Sequence, residues 1–575
     1  MKKLLDPQQE IDGVLLGFRR AFLQVGGFSF VINMLMLVPA IYMLQLYDRV
    51  LMSRNSATLL MLTLLVLVLY VLLSMLELVR SRVLVRVGTQ LDVMLSNRIF
   101  TAAFERNLQR QGGNPAQALS DLTTVRQFLS GAGIFAFFDT PWTPIFIIVA
   151  GLLHPLIGLF CLIGALILLA LAWLNEMVTR KPLAEAMTHA MAAGQYANNN
   201  LRNAEVIEAM GMLGNIRRRW HERQQKFLAL QALASDRSGV VMAVSKFMRI
   251  TLQSLVLGLG AWLVLDNMVT AGAMIAGSIL MGRALAPVDQ VISMWKQWIA
   301  ARAAYYRLNE MLKAYPLQPD RLSLPAPKGD LLVENVTAAP PGTQIVVLKN
   351  LAFRINHGDV LGVMGASAAG KSSLARLLVG VWRPQVGHVR LDGADVSSWD
   401  KAELGPNIGY LPQDVELFDG SIAENIARFG ELDSDKIMAA AQMAGVHEMI
   451  LHLPQGYDTP IGVDGSGLSG GQKQRIGLAR AVFGNPALVV LDEPNSNLDE
   501  LGDAALVQAI RALKARGRTV VMVGHRPSTF DVMDKILVLR EGTLAAYGPR
   551  DDVMAALRQP AQVNKLPATV EKATT

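Results

Sequence analysis

A chain of 575 residues is too long for one ordinary domain, and 52% hydrophobic against 18% charged residues is too apolar for an ordinary soluble protein. The net charge of +7 does not indicate nucleic acid, because Lys and Arg are spread along loops beside the apolar stretches, as on the cytoplasmic flanks of membrane helices. The single cysteine, Cys161, lies within an apolar stretch, which excludes a disulfide framework, a cysteine metal cluster and thiol catalysis and leaves packing as its role.

The N-terminal stretch "MKKLLDPQQEIDGVLLGFRR" follows its two lysines with Asp6, Glu10 and Asp12 and has no small-residue cleavage site. It reads as a cytoplasmic segment (1–20), not a removable signal peptide. Between Arg20 and Asp48, and again between Arg54 and Glu77, there is no charge. Each gap holds the ~20 apolar residues that cross ~30 Å of hydrocarbon. From Asp139 to Glu176 the chain is again uncharged and is interrupted at His154-Pro155, which predicts two helices joined by a tight turn. Arg249 to Arg283, broken at Asp266-Asn267, is the weakest stretch and predicts the fifth and sixth spans.

Arg19, Arg20, Arg80, Arg82, Arg86, Arg180, Lys181 and Arg217 to Arg219 fall on one side of this arrangement, whereas the connections near 48–54, 154–155 and 266–267 carry few charges. The positive-inside rule therefore places both termini in the cytoplasm. The intracellular connections, about 77–138 and 176–248, have helix-forming composition, so the helices of this transmembrane domain (21–312) are expected to continue beyond the bilayer. Residues 313–330, "KAYPLQPDRLSLPAPKGD", hold four prolines and predict a linker. Short apolar strands then alternate with helical segments over 331–558, an α/β domain. The tail 559–575 predicts disorder.

The chemistry is concentrated in the α/β domain. The strand "VLGVMG" runs into "GASAAGKSS" at 365–373, the phosphate-cradling G-x-x-x-x-G-K-[ST] loop in its required strand-loop-helix setting. Gly365, Ala366, Ser367, Ala368, Ala369 and Gly370 supply backbone N–H groups. Lys371 reaches β- and γ-phosphates, Ser372 offers a hydroxyl to Mg²⁺, and Ser372 and Ser373 are expected with the loop among the ATP-binding residues. At 488–493, "LVVLDE" ends an apolar strand on two carboxylates, with Asp492 suited to the metal and Glu493 to a water that attacks the γ-phosphate. Gln413, in "YLPQD", offers a neutral oxygen to metal and water. His525, in "VVMVGHRPS", is placed to contact the γ-phosphate.

The series "GASAAGKSS", "YLPQD", "LSGGQKQR", "LVVLDEPNSNLD" and "GHRPS" resembles the ATPase domain of ATP-binding cassette (ABC) transporters, and the six preceding spans resemble the exporter type. "LQLYDRVLMSRNSATL" (44–59), "FFDTPWTPIF" (137–146) and the "PPG" at 340–342 look like the type I protein-secretion ATPases, in the branch serving metalloproteases, lipases and haemophores. The resemblance implies a six-helix transmembrane domain fused to a P-loop ATPase domain, with ATP and Mg²⁺ as cofactors. It also implies a homodimer in which Ser469, Gly470, Gly471 and Gln472 of one chain close over ATP on the P-loop of the other, with Asp499 also among the ATP-binding residues. The implied partners are a periplasmic adaptor (membrane fusion) protein, an outer-membrane channel protein, a secreted unfolded polypeptide and the lipid of a bacterial inner membrane. A stand-alone exporter of lipids, drugs or small peptides is the alternative, and a non-transport ATP-driven clamp is disfavoured by the spans. An N-terminal peptidase domain is not expected, since few residues precede the first span and Cys161 is intramembrane.

Two departures from the family pattern carry expectations. The stretch "ENVTAAPPGTQ" lacks the usual adenine-stacking aromatic, so Pro340 and Pro341 are the available platform. Ala368 and Ala369 stand where Gly and Ser are frequent, and alanine is tolerated there if φ stays negative. In "FDTPWTPIF", Asp139 is expected as an N-cap, Pro141 and Pro144 in first turns, and Trp142 at a headgroup boundary. Intracellular helix ends near 112–126 and 202–214 are expected to dock on the ATPase surface around Gln413.

Overall fold

The computed structural model describes residues 10–109, 116–317, 323–462, 465, 467–524 and 526–558. His525, the 559–575 tail, residues 110–115 of the connection between the second and third spans and 318–322 of the linker lie outside the described residues. The chain forms two compact units, a helical one that ends at Pro316 and an α/β one from Leu317 onward.

Among the described residues of the helical unit, six helices are long and apolar enough to cross a membrane: Arg19–Ser53, Ser56–Leu108, Gly133–Leu153, Pro155–Leu201, Leu213–Leu265 and Ala271–Ala314. The second and fifth have 53 residues each. At 1.5 Å per residue they run ~80 Å, so ~50 Å of each exceeds the hydrocarbon layer. The first is segmented, with Pro39 near the start of Val38–Gln45 and a π-helical turn at Leu46–Val50. The turns fall at the expected breaks. His154, extended, precedes Pro155 and accepts from the Leu156 N–H. Asn267 reverses the chain with φ 56°, and the Thr270 hydroxyl then caps Ala271–Ala314.

The sixth span is the innermost, with 61% of its apolar window buried against 6% for the second. Its small residues Ala276, Gly277 and Ala284 let neighbours approach, and Met281 and Leu285 pack with Ile157, Leu168, Leu252 and Cys161. Cys161 thus has the packing role expected of it.

Several polar ties cross between spans, among them one at Asp48 and one at Asp139. The Asp48 carboxylate, in the π-helical turn, accepts from the Thr270 hydroxyl at 2.6 Å and from the Gly272 N–H at 3.0 Å. It therefore satisfies an orphan donor at the start of the sixth span, where a negative charge also meets the positive helix end. This gives the "YDRV" stretch a concrete structural task. Asp139 departs from its expected cap role, since it makes no capping bond. Its Oδ1 instead accepts from buried Arg80 at 2.9 Å and from Asn33 Nδ2 at 3.0 Å, while Arg80 also donates to Ser29 Oγ at 3.0 Å. A largely buried carboxylate is better satisfied by a guanidinium than by one N–H. Pro141 and Pro144 do occupy first-turn positions, and Trp142 packs edge-on against Phe30 at 5.0 Å.

Beyond the spans, helix Ala116–Ser130 is held by a bidentate Arg307–Asp121 pair at 2.7 and 2.8 Å. The connection between the fourth and fifth spans is a short helix, Ala204–Ala209, between the ends of two long ones, and Leu201, Val206 and Met210 are exposed there.

In the α/β unit the strands are β1 (Leu331–Ala338), β2 (Leu348–Ile355), β3 (Val360–Gly365), β4 (Val386–Leu391), β5 (Ala394–Asp395), β6 (Ile408–Leu411), β7 (Gly420–Ser421), β8 (Pro460–Ile461), β9 (Leu488–Asp492), β10 (Thr519–Val523), β11 (Lys535–Arg540) and β12 (Thr543–Pro549). Six form one sheet in the order β12-β11-β3-β10-β9-β6, parallel from β11 to β6. β9 and β10 are fully buried, which is why they read as unbroken apolar runs. A smaller antiparallel sheet, β2-β1-β4-β5, packs its own core against the helix Lys371–Leu378. Of the expected linker, the N–H groups of Lys328, Gly329 and Asp330 are bound by Asp392, so its end belongs to the α/β unit.

Candidate functional site

The carboxyl ends of neighbouring parallel strands assemble the site. β3 delivers the loop 365–370, β9 delivers Asp492 and Glu493, and β6 leads two residues on to Gln413. Gly365 has φ 154° and Gly370 φ 99°. A Cβ on either would lie 2.4 Å from the Leu539 carbonyl oxygen or 2.6 Å from Leu348 Cδ2, so glycine is required at both. Ala368 differs from expectation: its φ is 65°, in the left-handed region, which costs an alanine on the order of 1 kcal/mol. Exposure of Ala366, Ser367 and Ala368 keeps the loop accessible, while Ala369 is buried beneath it.

Lys371 Nζ bridges the carbonyls of Gly365 and Ala366 at 2.9 and 3.1 Å, a position over the mouth of the loop. Ser372 Oγ donates to Asp492 Oδ1 at 3.2 Å. Asp492 is wholly buried, and its Oδ2 has no hydrogen-bond partner among the described residues. Burial pushes its carboxyl above the ordinary carboxylate range, although the Ser372 bond opposes the shift. A buried oxygen without a partner, beside a hydroxyl on a phosphate-binding loop, is a donor set that fits a hard divalent cation such as Mg²⁺.

Glu493 adopts φ 49° and accepts from Gln413 Nε2 at 3.1 Å. Thus Gln413, Glu493, Asp492, Ser372 and Lys371 come together as expected. Asp499 caps the helix Glu500–Ala515 through the Gly502 N–H at 2.8 Å. Ser469 and Gln472 form a capping box at the start of the helix Gly470–Val482 and make no hydrogen bond to that cluster among the described residues. The Ser469 oxygen accepts from the Gln472 N–H at 3.3 Å, so its proton remains available to donate, and Ser469 and Gly470 are exposed.

Two residues of the site escape sequence reasoning. Gln474 is buried beneath the signature helix and bonds the Glu493–Asn497 turn. It shares a face with buried Leu478 and Ala481, which is the signal that could have marked it. Arg428 donates to five carbonyls, those of Gly405, Ile408, Arg480, Ala481 and Phe483, at 2.8–3.4 Å. Burial and nearby Arg480 push its pKa down to about 10. No local pattern announces it, because its acceptors come from distant segments.

Residues 348–496 match the ABC transporter family, and residues 22–287 match the ABC transporter transmembrane region. The fold and site thus define a multi-pass membrane protein that couples an ATPase domain to transport. The chain is 45% identical over 549 residues to the type I secretion system ATP-binding protein PrsD of Rhizobium meliloti (strain 1021), covering 95% of this chain and 94% of that one. It is 27% identical to the leukotoxin translocation ATP-binding protein LktB of Mannheimia haemolytica, over 94% of this chain and 77% of that one. A solved bacterial Atm1-family ABC exporter with ATP bound shares the fold, with a TM-score of 0.80 at 23% identity over 96% of this chain and 99% of that one. The chain belongs to the ABC transporters, among the type I secretion ATP-binding proteins.

Proposed function

We propose that two copies of this chain use ATP to move an unfolded polypeptide across a bacterial inner membrane, with the ATPase units and both termini in the cytoplasm. The observation that carries the dimer is the split of the site. One chain assembles Lys371, Ser372, Asp492, Glu493 and Gln413 around one loop, while the start of its signature helix, at Ser469 and Gly470, is exposed and keeps a Ser469 hydroxyl proton not used by the capping box. Ser469, Gly470 and Gly471 are then the groups that meet the γ-phosphate on the partner's loop, aided by the positive helix end.

Within a composite site, the amides of 365–370 and Lys371 hold the phosphates. Glu493 takes the proton of the attacking water, and Gln413, whose amide nitrogen engages Glu493, presents its oxygen toward the water and metal. Mg²⁺, when bound by Ser372, Asp492 and Gln413, neutralises phosphate charge. His525 completes the γ-phosphate contacts, and Asp499 sets the start of the helix beside the signature. The turn at Pro340, closed by the Thr343 N–H at 3.0 Å, is the surface offered to adenine in place of an aromatic ring.

The secretion and toxin-translocation roles in the relatives' names support a polypeptide substrate, and a periplasmic adaptor and an outer-membrane channel protein are the partners we propose for it. In proteoliposomes, an unfolded secreted hydrolase encoded beside this gene should stimulate ATP turnover and be transported. Stimulation by lipids, drugs or short peptides in its place would establish the stand-alone exporter instead.

A further inference from the structure

The signature helix is fastened at both ends to segments that carry this chain's own ATP chemistry. In its second turn Gln474, 1% exposed, donates from Nε2 to the Glu493 carbonyl at 3.1 Å and to Ser496 Oγ at 3.3 Å. Its Oε1 accepts from the Asn497 N–H at 3.1 Å. At the far end, Arg428 binds the carbonyls of Arg480, Ala481 and Phe483 together with those of Gly405 and Ile408, which lead into β6 and Gln413. The helix is therefore registered against both segments that present Glu493 and Gln413.

Glu493 is the residue most in need of such support. Its φ of 49° is one that a glutamate holds only when its surroundings over-determine it. Its N–H donates to Val523, and its carbonyl takes the Ser496 N–H and the Gln474 amide. Rotation of that peptide would swing the carboxylate off Gln413.

We infer that Gln474 is a positioning residue for Glu493. Its amide fixes the Glu493 carbonyl, and because the same helix begins at Ser469, it ties hydrolysis of the chain's own ATP to the seating of its signature on the partner's ATP. The inference rests on the composite-site reading above.

The test uses the full-length homodimer, with ATP-dependent closure read by cross-linking of cysteines placed across the dimer and turnover read as phosphate release. Gln474→Met keeps length and shape but removes the donor and acceptor. Turnover should fall by about 10²-fold, the loss expected for a displaced catalytic group. The ATP concentration that half-saturates closure should stay within about 2-fold, and closed dimers should persist longer. Turnover near wild type overturns the inference. So does a turnover loss matched by an equal loss of closure, because Gln474 would then support only the signature. If Gln474→Met does not fold, Gln474→Glu retains the acceptor and removes the donor, and failure of both to fold shows a purely structural role and also overturns it. Glu493→Gln runs in parallel: normal turnover there would sink the Glu493 assignment itself, whereas a trapped Glu493→Gln dimer beside a fully active Gln474→Met sinks only this inference.

Discussion

At the scale of single residues, the site concentrates groups that would be unfavourable elsewhere: a left-handed glutamate, a left-handed alanine and a buried aspartate. Lys371→Ala removes the phosphate-facing ammonium and should abolish nucleotide-dependent transport. Glu493→Gln should still bind ATP but hydrolyse it at least ~10² times more slowly, with the closed dimer visible by cross-linking. Asp492 has a further signature. Its carboxyl is raised by burial, so the folded nucleotide-free protein holds that proton more tightly than the unfolded chain does. As pH rises above the unfolded value of 3.8, the folded state therefore loses stability through this residue. Asp492→Asn should raise the nucleotide-free melting midpoint of the ATPase unit at pH 7, should raise it less near pH 4, and should remove hydrolysis, the trade expected where function requires an unfavourable group.

At the scale of elements, the spans are joined by a few polar ties set into apolar faces. The Arg80–Asp139 pair links the second span to the start of the third, with side chains 8% and 17% exposed. Removing one partner strands the other, so Arg80→Met should destabilise the helical unit by about 3 kcal/mol, while Arg80→Met with Asp139→Leu should recover most of it. Thermal unfolding of the two variants decides this, and equal midpoints would show that a stranded Asp139 is not the source of the loss. The short helix Ala204–Ala209, with Val206 exposed and Met210 exposed just after it, has the composition of a docking surface. Cysteines placed there and near Gln413 should cross-link in the dimer, as should cysteines in 116–126. If neither connection ever reaches the ATPase surface, the proposed route of coupling is wrong.

At the scale of the whole molecule, the defining property is that each chain carries one P-loop and one signature. A mixed dimer of a Lys371→Ala chain and a Ser469→Arg chain should keep one composite site free of both lesions, while neither mutant homodimer has one. ATP-dependent closure should return in the mixed dimer, even where strong coupling between sites prevents turnover. Closure no better than in the homodimers would place the signature's action within its own chain.

How much of this was legible in the sequence depends on the range over which each feature is determined. Hydrocarbon demands long charge-free helices, and a phosphate demands glycines, lysine and carboxylates at strand ends, so six spans, the P-loop, Asp492, Glu493 and Gln413 can all be read locally. The strand alternation likewise announced the α/β unit. What only the tertiary structure decided are pairings between remote segments. Asp139 was expected to cap its own helix, yet a guanidinium 59 positions earlier satisfies it better. Ala368 takes a positive φ because the loop must curl, which no preference of alanine could reveal. Asp48 finds its partners across 222 and 224 positions, at the start of the sixth span. Gln474 and Arg428 do their work through backbone carbonyls, groups that every residue has, and so their roles leave no mark in the identity of the residues they hold.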